Sequence, residues 1–387
     1  MKQTENLQLP ILQSGDKYTK ETQNEAFKKV DLHLGGLAKR VNNIVASGGE
    51  SNIEIVDARV DNITGVVHNT IGERINSVSE QLEQIGTKIK QPFYPKFKGI
   101  NLYIMNYTSK STILSYLNDA SKNGINAVFI TAHNNYEDGN FNPNLTDEQV
   151  IFTITEAKKR NISPILKLHR MGKYETDNVT SWISAWGEVV DKYVTISKEY
   201  NIDTIVFCNE QEKFTKSNRN EWKTIIDKIK SNGLKVAISY RGVAEFYNSV
   251  LNDLVDIIGI NYYPKMTSKG YDISDSDMMK KFYSFYSTIK TIKYKYNKEA
   301  WITEIGCTRN IDALSDPSGW KFDTEEQSFI PQILYYKNLL KAYGESKDLN
   351  INGIFFWSTD SKNKLNSYSP FGNEECENII RSYEVSN

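Results

Sequence analysis

From Lys98 onward the chain carries eight short apolar runs separated by amphipathic stretches, and this alternation constrains the fold more than any other feature. The runs are Gly99–Ile104, Ala127–Thr131, Ile165–His169, Thr204–Asn209, Lys235–Tyr240, Ile257–Asn261, Ala300–Glu304 and Gly353–Trp357. Each is five or six residues long and nearly continuous in buried-type side chains, the signature of a parallel strand covered on both faces. Helical periodicity fills the gaps, most clearly over Asp177–Tyr200 and Thr324–Tyr343. Eight strand–helix units in about 290 residues predict an α/β chain closed into a (β/α)8 TIM barrel. An open doubly wound sheet has the same alternation, but the glycine-rich phosphate loop expected of many such sheets is missing.

The polar residues at the ends of these runs point to chemistry. The third run ends Lys167-Leu-His169, the fourth Asn209-Glu210, the sixth Asn261-Tyr262-Tyr263, the seventh Thr303-Glu304 and the eighth Phe356-Trp357. A parallel barrel gathers the carboxyl ends of its strands around one pit. Glu210 and Glu304 can therefore face each other, and paired carboxylates are what glycosidic-bond cleavage needs. In a retaining mechanism one attacks the anomeric carbon while the other protonates the leaving oxygen and then activates water. Asn209 can donate to a sugar hydroxyl, Tyr263 can fix the rotamer of Glu304, and Trp357 offers a flat face to a sugar ring. Lys167 and His169 share strand parity and are expected to bind hydroxyls. Glu212, two residues after Glu210, is a rival for the acid; Glu210 is favoured because it adjoins the strand and follows Asn209.

The first part of the chain differs in kind. All six Trp lie at or after Trp182, whereas residues 1–90 hold only Tyr18 and Phe27 as aromatics. The two prolines of Gln91-Pro92-Phe93-Tyr94-Pro95 stop any helix arriving from the N-terminal side. Phe27, Val30, Leu34, Leu37, Val41 and Ile44, and then Ile75, Val78, Leu82, Ile85 and Ile89, alternate steps of three and four, a coiled-coil seam. The β-branched residues of the second seam favour three or four strands over two. Between the seams, Asn52–Arg59 alternates like a short strand. The expected organisation is a flexible arm over 1–20, a helical, trimeric coiled-coil stalk with a short β segment over 21–92, and the barrel over 96–387.

Two resemblances attach to these motifs. Asn209-Glu210, Asn261-Tyr-Tyr263, Thr303-Glu304 and Trp357 resemble the clan of retaining barrel glycosidases that includes cellulases, β-glucosidases and β-mannanases. More narrowly, Lys98-Gly-Ile-Asn101, Gly124-Ile-Asn-Ala-Val128, Lys167-Leu-His169 and Trp182-Ile-Ser-Ala-Trp186 look like the bacterial endo-β-mannanase-like family within it. The resemblance implies Glu210 as acid/base and Glu304 as nucleophile, with Asn261 among the substrate-binding residues. Two departures bear on the sugar rather than the reaction. Many clan members end the second strand with arginine, where this chain has Thr131-Ala-His133, so that His133 becomes a candidate hydroxyl ligand. The narrower family usually has Gly-Thr before its acid, where this chain has Cys208-Asn209. Separately, Ser51–Arg59, Gly65 and Ile71–Ile75 resemble the N-terminal module of tail-fibre and receptor-binding proteins from phages of Gram-positive bacteria. That implies a homotrimer carried on the virion tail or baseplate beside other tail proteins, with a host surface polysaccharide as target.

Other functions find little support. A net charge of −1 gives no basic field for nucleic acid. No apolar stretch is long enough for membrane insertion, and the start of the chain lacks a signal-peptide core, so synthesis in the host cytoplasm is expected. Cys208, Cys307 and Cys376 form neither a disulfide framework nor a zinc pattern, and the four histidines show no metal-ligand spacing. No metal and no cofactor is expected; the loop Asn134–Asn140 reads as a turn rather than a calcium site. The competing function is a non-catalytic carbohydrate-binding receptor-recognition protein on the same barrel.

Overall fold

A computed structural model describes residues 95–171, 178–345, 351–360 and 365–383, with eight isolated positions before them. The chain divides into two compact units, Met1–Pro92 and Phe93–Asn387. In the first, Lys2–Gln3 pairs antiparallel with Pro10–Ile11. The coiled-coil seams and the strand expected over Asn52–Arg59 lie almost wholly outside the described residues.

In the second unit, eight parallel strands are present among the described residues, at all eight positions where the apolar runs fall. They are β1 (Phe97–Leu102), β2 (Ala127–Glu137), β3 (Ser163–Met171), β4 (Thr204–Asn209), β5 (Lys235–Tyr240), β6 (Ile257–Asn261), β7 (Glu299–Ile305) and β8 (Ile351–Thr359). Each pairs with the next, and β1 pairs with both β8 and β2, which closes the barrel. Helices cover the outside: α1 (Lys110–Lys122), α2 (Asp147–Lys159), α3 (Val179–Glu199), α4 (Glu212–Thr215), α5 (Arg219–Ser231), α6 (Val243–Asn248), α7 (Asp275–Tyr283), α8 (Tyr286–Tyr296), α9 (Ile330–Gly344) and α10 (Glu374–Ser382). The sequence placed the last long helix six residues too early; it starts where Pro331 fits the first turn, whose amide needs no partner.

Period-two alternation sorts the strand residues into two environments. Side chains such as Ile130, Leu166, Ile238 and Phe356 pack outward against the helices. Phe129, Ile165, Val206, Ala237, Ile257, Trp301 and Phe355 fill the barrel interior, with Phe129 stacked on Phe355 at 3.8 Å between ring centroids. Gly99 is required here, because a Cβ at that position would stand 2.1 Å from the Phe355 ring. One step further along the strands the interior turns polar, with Asn101, Thr131, Lys167, Ser239, Asn261 and Thr303 all buried.

Two register breaks alter the alternation where the chemistry lies. β4 slips against β5 between Val206 and Cys208, and β7 slips against β6 between Ile302 and Glu304. Each is a bulge that re-aims the following side chains. Cys208 joins the outer core, while Asn209 and Glu304 turn toward the pit.

β2 is six residues longer than its apolar run. It continues through Thr131-Ala-His133 into an antiparallel hairpin with Asn140–Pro143. The turn is Asp138-Gly139, both with positive φ (51° and 83°), a two-residue hairpin connection. The segment read from the sequence as a loop is therefore mostly strand. Tyr136 and Phe141 of the hairpin pack near Trp182 of α3.

Candidate active site

Glu304 follows the buried run Trp301-Ile302-Thr303 and is 6 % exposed. Two donors hold its carboxyl group. The Lys167 ammonium on β3 donates to Oε1, and the Tyr263 hydroxyl beyond β6 donates to Oε2 at 3.0 Å. Lys167 also donates to Asn101 Oδ1 at 3.2 Å. Asn101 is fixed in turn, since its amide donates to the carbonyls of Thr303 and Phe356. Burial pushes the Glu304 carboxyl above its ordinary value; Lys167 opposes this, and the charge of Glu210 adds to it. Burial lowers Lys167, with Glu304 opposing. Burial and the Glu304 charge push the Tyr263 hydroxyl well up, which keeps it a donor.

Glu210 sits immediately after β4 in the left-handed region, at φ 54°. That conformation is uncommon outside glycine, so its surroundings must impose it. Its amide donates to Ser239 O at 2.9 Å, which extends the β4–β5 pairing by one residue. Its Oε1 accepts from Asn261 Nδ2 at 2.7 Å. The Asn261 amide is oriented by its other end, because Oδ1 accepts from the Ser239 and Thr303 hydroxyls at 3.0 and 2.9 Å. Gly259 makes room for this network: a Cβ there would lie 2.4 Å from Thr303 Cγ2 and 2.8 Å from Ile238 O. Past Glu210, Phe214 stacks on Trp182 at 3.8 Å, and its carbonyl accepts from the Trp222 indole. Trp186 of α3 donates to Phe207 O within β4. The Trp182/Trp186 motif thus supports the strand and turn that carry Glu210.

Glu210, Asn261, Thr303, Asn101, Lys167 and Glu304 form one chain of hydrogen bonds across the pit. Asn209 joins it through a 3.4 Å contact to Asn261, while its own Nδ2 is buried without a partner among the described residues. Trp357 lies partly exposed with its ring centroid 5.6 Å from Lys167 Nζ. His133 and His169 stand beside this chain as an edge-to-face pair 5.1 Å apart. Burial lowers the His133 imidazole to about 4, and burial with nearby His133 and Lys167 lowers His169, so both are neutral near neutral pH. Among the described residues, neither nitrogen of His133, nor Nδ1 of His169, has a hydrogen-bond partner. Glu212, the rival acid, is exposed on α4 and accepts from Asn248 at 3.4 Å.

Lys167 is fully buried, and its ammonium is engaged by Glu304 and Asn101. The sequence reading gave no site role to Ser239, nor to Asn101 and Thr303, which it named only within motifs. Their signal was present, since each is a small polar residue at inward parity within an apolar run.

The model of Glycoside Hydrolase Family 113 matches residues 120–373. Solved structures share the fold at low identity. A GH113 β-1,4-mannanase complex is 16 % identical, covering 75 % of this chain and 98 % of that one, with a TM-score of 0.61. The GH113 β-mannanase AaManA from Alicyclobacillus acidocaldarius is 11 % identical over 75 % and 97 %, with a TM-score of 0.62. The endo-1,4-β-mannanase from Rhizomucor miehei is 16 % identical over 76 % and 95 %, with a TM-score of 0.54. A search of curated proteins finds no match. The family match covers well over half of the chain: the protein belongs to Glycoside Hydrolase Family 113 and is a retaining glycosidase.

Proposed function

We propose that Glu304 is the nucleophile and Glu210 the acid/base of a glycosidase that cleaves a β-linked, mannan-like polysaccharide of a bacterial host surface, carried there on a trimeric phage tail stalk. The observation that carries the catalytic assignment is the unequal treatment of the two carboxyl groups. Glu304 is gripped by a cation and a hydroxyl donor, as suits a group that must attack as an anion. Glu210 accepts the Asn261 amide on Oε1 and is only half-buried.

In the first step Glu304 attacks the anomeric carbon while Glu210 protonates the departing oxygen, leaving a glycosyl ester on Glu304. In the second, Glu210 takes a proton from water, which displaces the ester and restores both groups. Lys167 and Tyr263 stabilise the carboxylate before attack and after release. Among the described residues, Asn209 Nδ2, both nitrogens of His133 and Nδ1 of His169 have unused hydrogen-bonding capacity suited to sugar hydroxyls. Trp357 supplies the apolar face. The mannan-like substrate is drawn from the names of the GH113 structures. The phage setting and the host polysaccharide rest on the sequence resemblance of Ser51–Ile75.

The test is glycan release from β-1,4-mannan and from Gram-positive cell walls by wild type, Glu304→Gln and Glu210→Gln. Both variants should lose at least about 10²-fold and still bind. Equal release by all three would remove the assignment. For the stalk, sedimentation should show a trimer for the full chain and a monomer for residues 96–387; two monomers would overturn it.

A further inference from the structure

Glu245 is a buried carboxyl group for which the reaction has no direct use. It lies on α6 after β5 and is 2 % exposed. Its Oε2 accepts the Arg241 amide at 2.7 Å, in the turn just before its own short helix. The Thr215 hydroxyl donates to Oε1 at 3.5 Å, and the amides of Phe214 and Thr215 in turn donate to Gln211 O at 2.8 and 3.0 Å. Gln211 and Thr215 belong to the segment after β4, so this one side chain fastens two neighbouring loops together. Bracing its own turn would need only the Arg241 contact.

Gln211 directly follows Glu210. Holding Thr215 holds the Gln211 carbonyl through it, and so restrains the peptide that leaves Glu210 in its left-handed turn at φ 54°. The other side of the same turn is held by Glu210 N–H on Ser239 O at 2.9 Å. Ser239 is the penultimate residue of the neighbouring strand β5, and Glu245 follows that strand, so both restraints come from adjacent backbone. The turn is clamped on each side of the residue that must reach Asn261 and the leaving oxygen.

We infer that Glu245 is the positioning residue of the acid/base: it holds the Glu210–Gln211 peptide in the turn that aims the Glu210 carboxyl group at the leaving oxygen. This rests on the assignment of Glu210 as the acid. The chemistry offers a readout that general destabilisation would not move. A dinitrophenolate leaves without a proton, whereas a sugar alkoxide needs one, so a misplaced acid slows cleavage of a sugar–sugar bond far more than of the aryl glycoside.

The experiment compares wild type, Glu245→Ala and Glu245→Gln in the full chain, on mannotriose and on 2,4-dinitrophenyl β-mannoside, together with their crystal structures. Glu245→Ala should lose about 10²-fold in kcat/KM on mannotriose and less than about threefold on the aryl mannoside. Glu245→Gln, which keeps one acceptor oxygen, should recover most of the loss. In the alanine variant Glu210 should leave the left-handed region and lose Asn261. Equal losses on both substrates, or an unmoved Glu210, would overturn the inference. If the alanine variant does not fold, the glutamine variant decides, by a smaller loss confined to mannotriose. If wild type cleaves neither mannoside, the sugar reading falls, and the position of Glu210 in the variant crystals decides the role of Glu245.

Discussion

Replacing Lys167 by methionine tests the electrostatics of the site most sharply. Methionine fills a similar volume and removes only the charge and the donors. Lys167 is fully buried and Glu304 is 8 % exposed at its side chain, so water cannot replace the lost ammonium. Removing one partner of such a pair costs about 3–5 kcal/mol if the other stays ionised. The carboxyl group avoids that cost by keeping its proton. At about 1.4 kcal/mol per pKa unit, a penalty near the lower bound moves Glu304 upward by about two units. Burial already holds it above the ordinary value in the wild type. Only the ionised form attacks, so activity lost on acidification should be lost at higher pH in Lys167→Met. The assay is kcat/KM against pH on β-1,4-mannan or the best substrate found. The acid limb should shift upward by about two units, with about a 10²-fold loss below the wild-type limb and a smaller loss above it. A lysine that merely binds a sugar hydroxyl would raise KM at every pH and leave the limb in place. That result would refute the reasoning.

Further expectations follow from the same network. Tyr263→Phe removes a charge-assisted bond to Glu304 Oε2, about 1.5–3 kcal/mol, and should lower kcat/KM by roughly 10- to 100-fold with little change in melting temperature. Gly259→Ala forces a Cβ against Thr303 and Ile238; thermal melts should show a loss of about 1–3 kcal/mol, and activity should fall as Asn261 shifts. Burial, with a smaller contribution from Glu210, pushes Glu245 from 4.5 up to about 7. A raised carboxyl stabilises the fold at pH below the unfolded value, and that contribution fades as pH rises through about 7. Wild type should therefore lose up to about 3 kcal/mol across that window, and Glu245→Gln should show a flatter profile in denaturant titrations.

The barrel was legible because parallel strands buried on both faces leave uninterrupted apolar runs, and every one of the eight marks a strand. The carboxyl ends of those runs also named side chains that meet in the pit, since barrel closure brings them together. What the sequence hid was orientation. The bulges at Val206–Cys208 and Ile302–Glu304 decide which side chains enter the pit, and a bulge leaves no residue signature in either run. The partner of Lys167 was hidden for the same reason, because strict alternation from Trp301 and Thr303 would aim Glu304 outward. The β2 hairpin was missed although Asp138-Gly139 is a strong turn signal, because the polar residues around it masked the strand. Glu245 gave no signal, as it lies in a loop helix and meets Thr215 only through the packing of α6 on α4.

Trapping the covalent intermediate reaches the central claim most directly. An activated 2-deoxy-2-fluoro-β-mannoside slows both steps but the second more, so the glycosyl ester accumulates. Mass spectrometry of the digested protein should place one fluorosugar on the peptide containing Glu304, with none on Glu304→Gln and none on the Glu210 peptide. Label on Glu210, or inverted anomeric product seen by proton NMR during hydrolysis, would contradict the account.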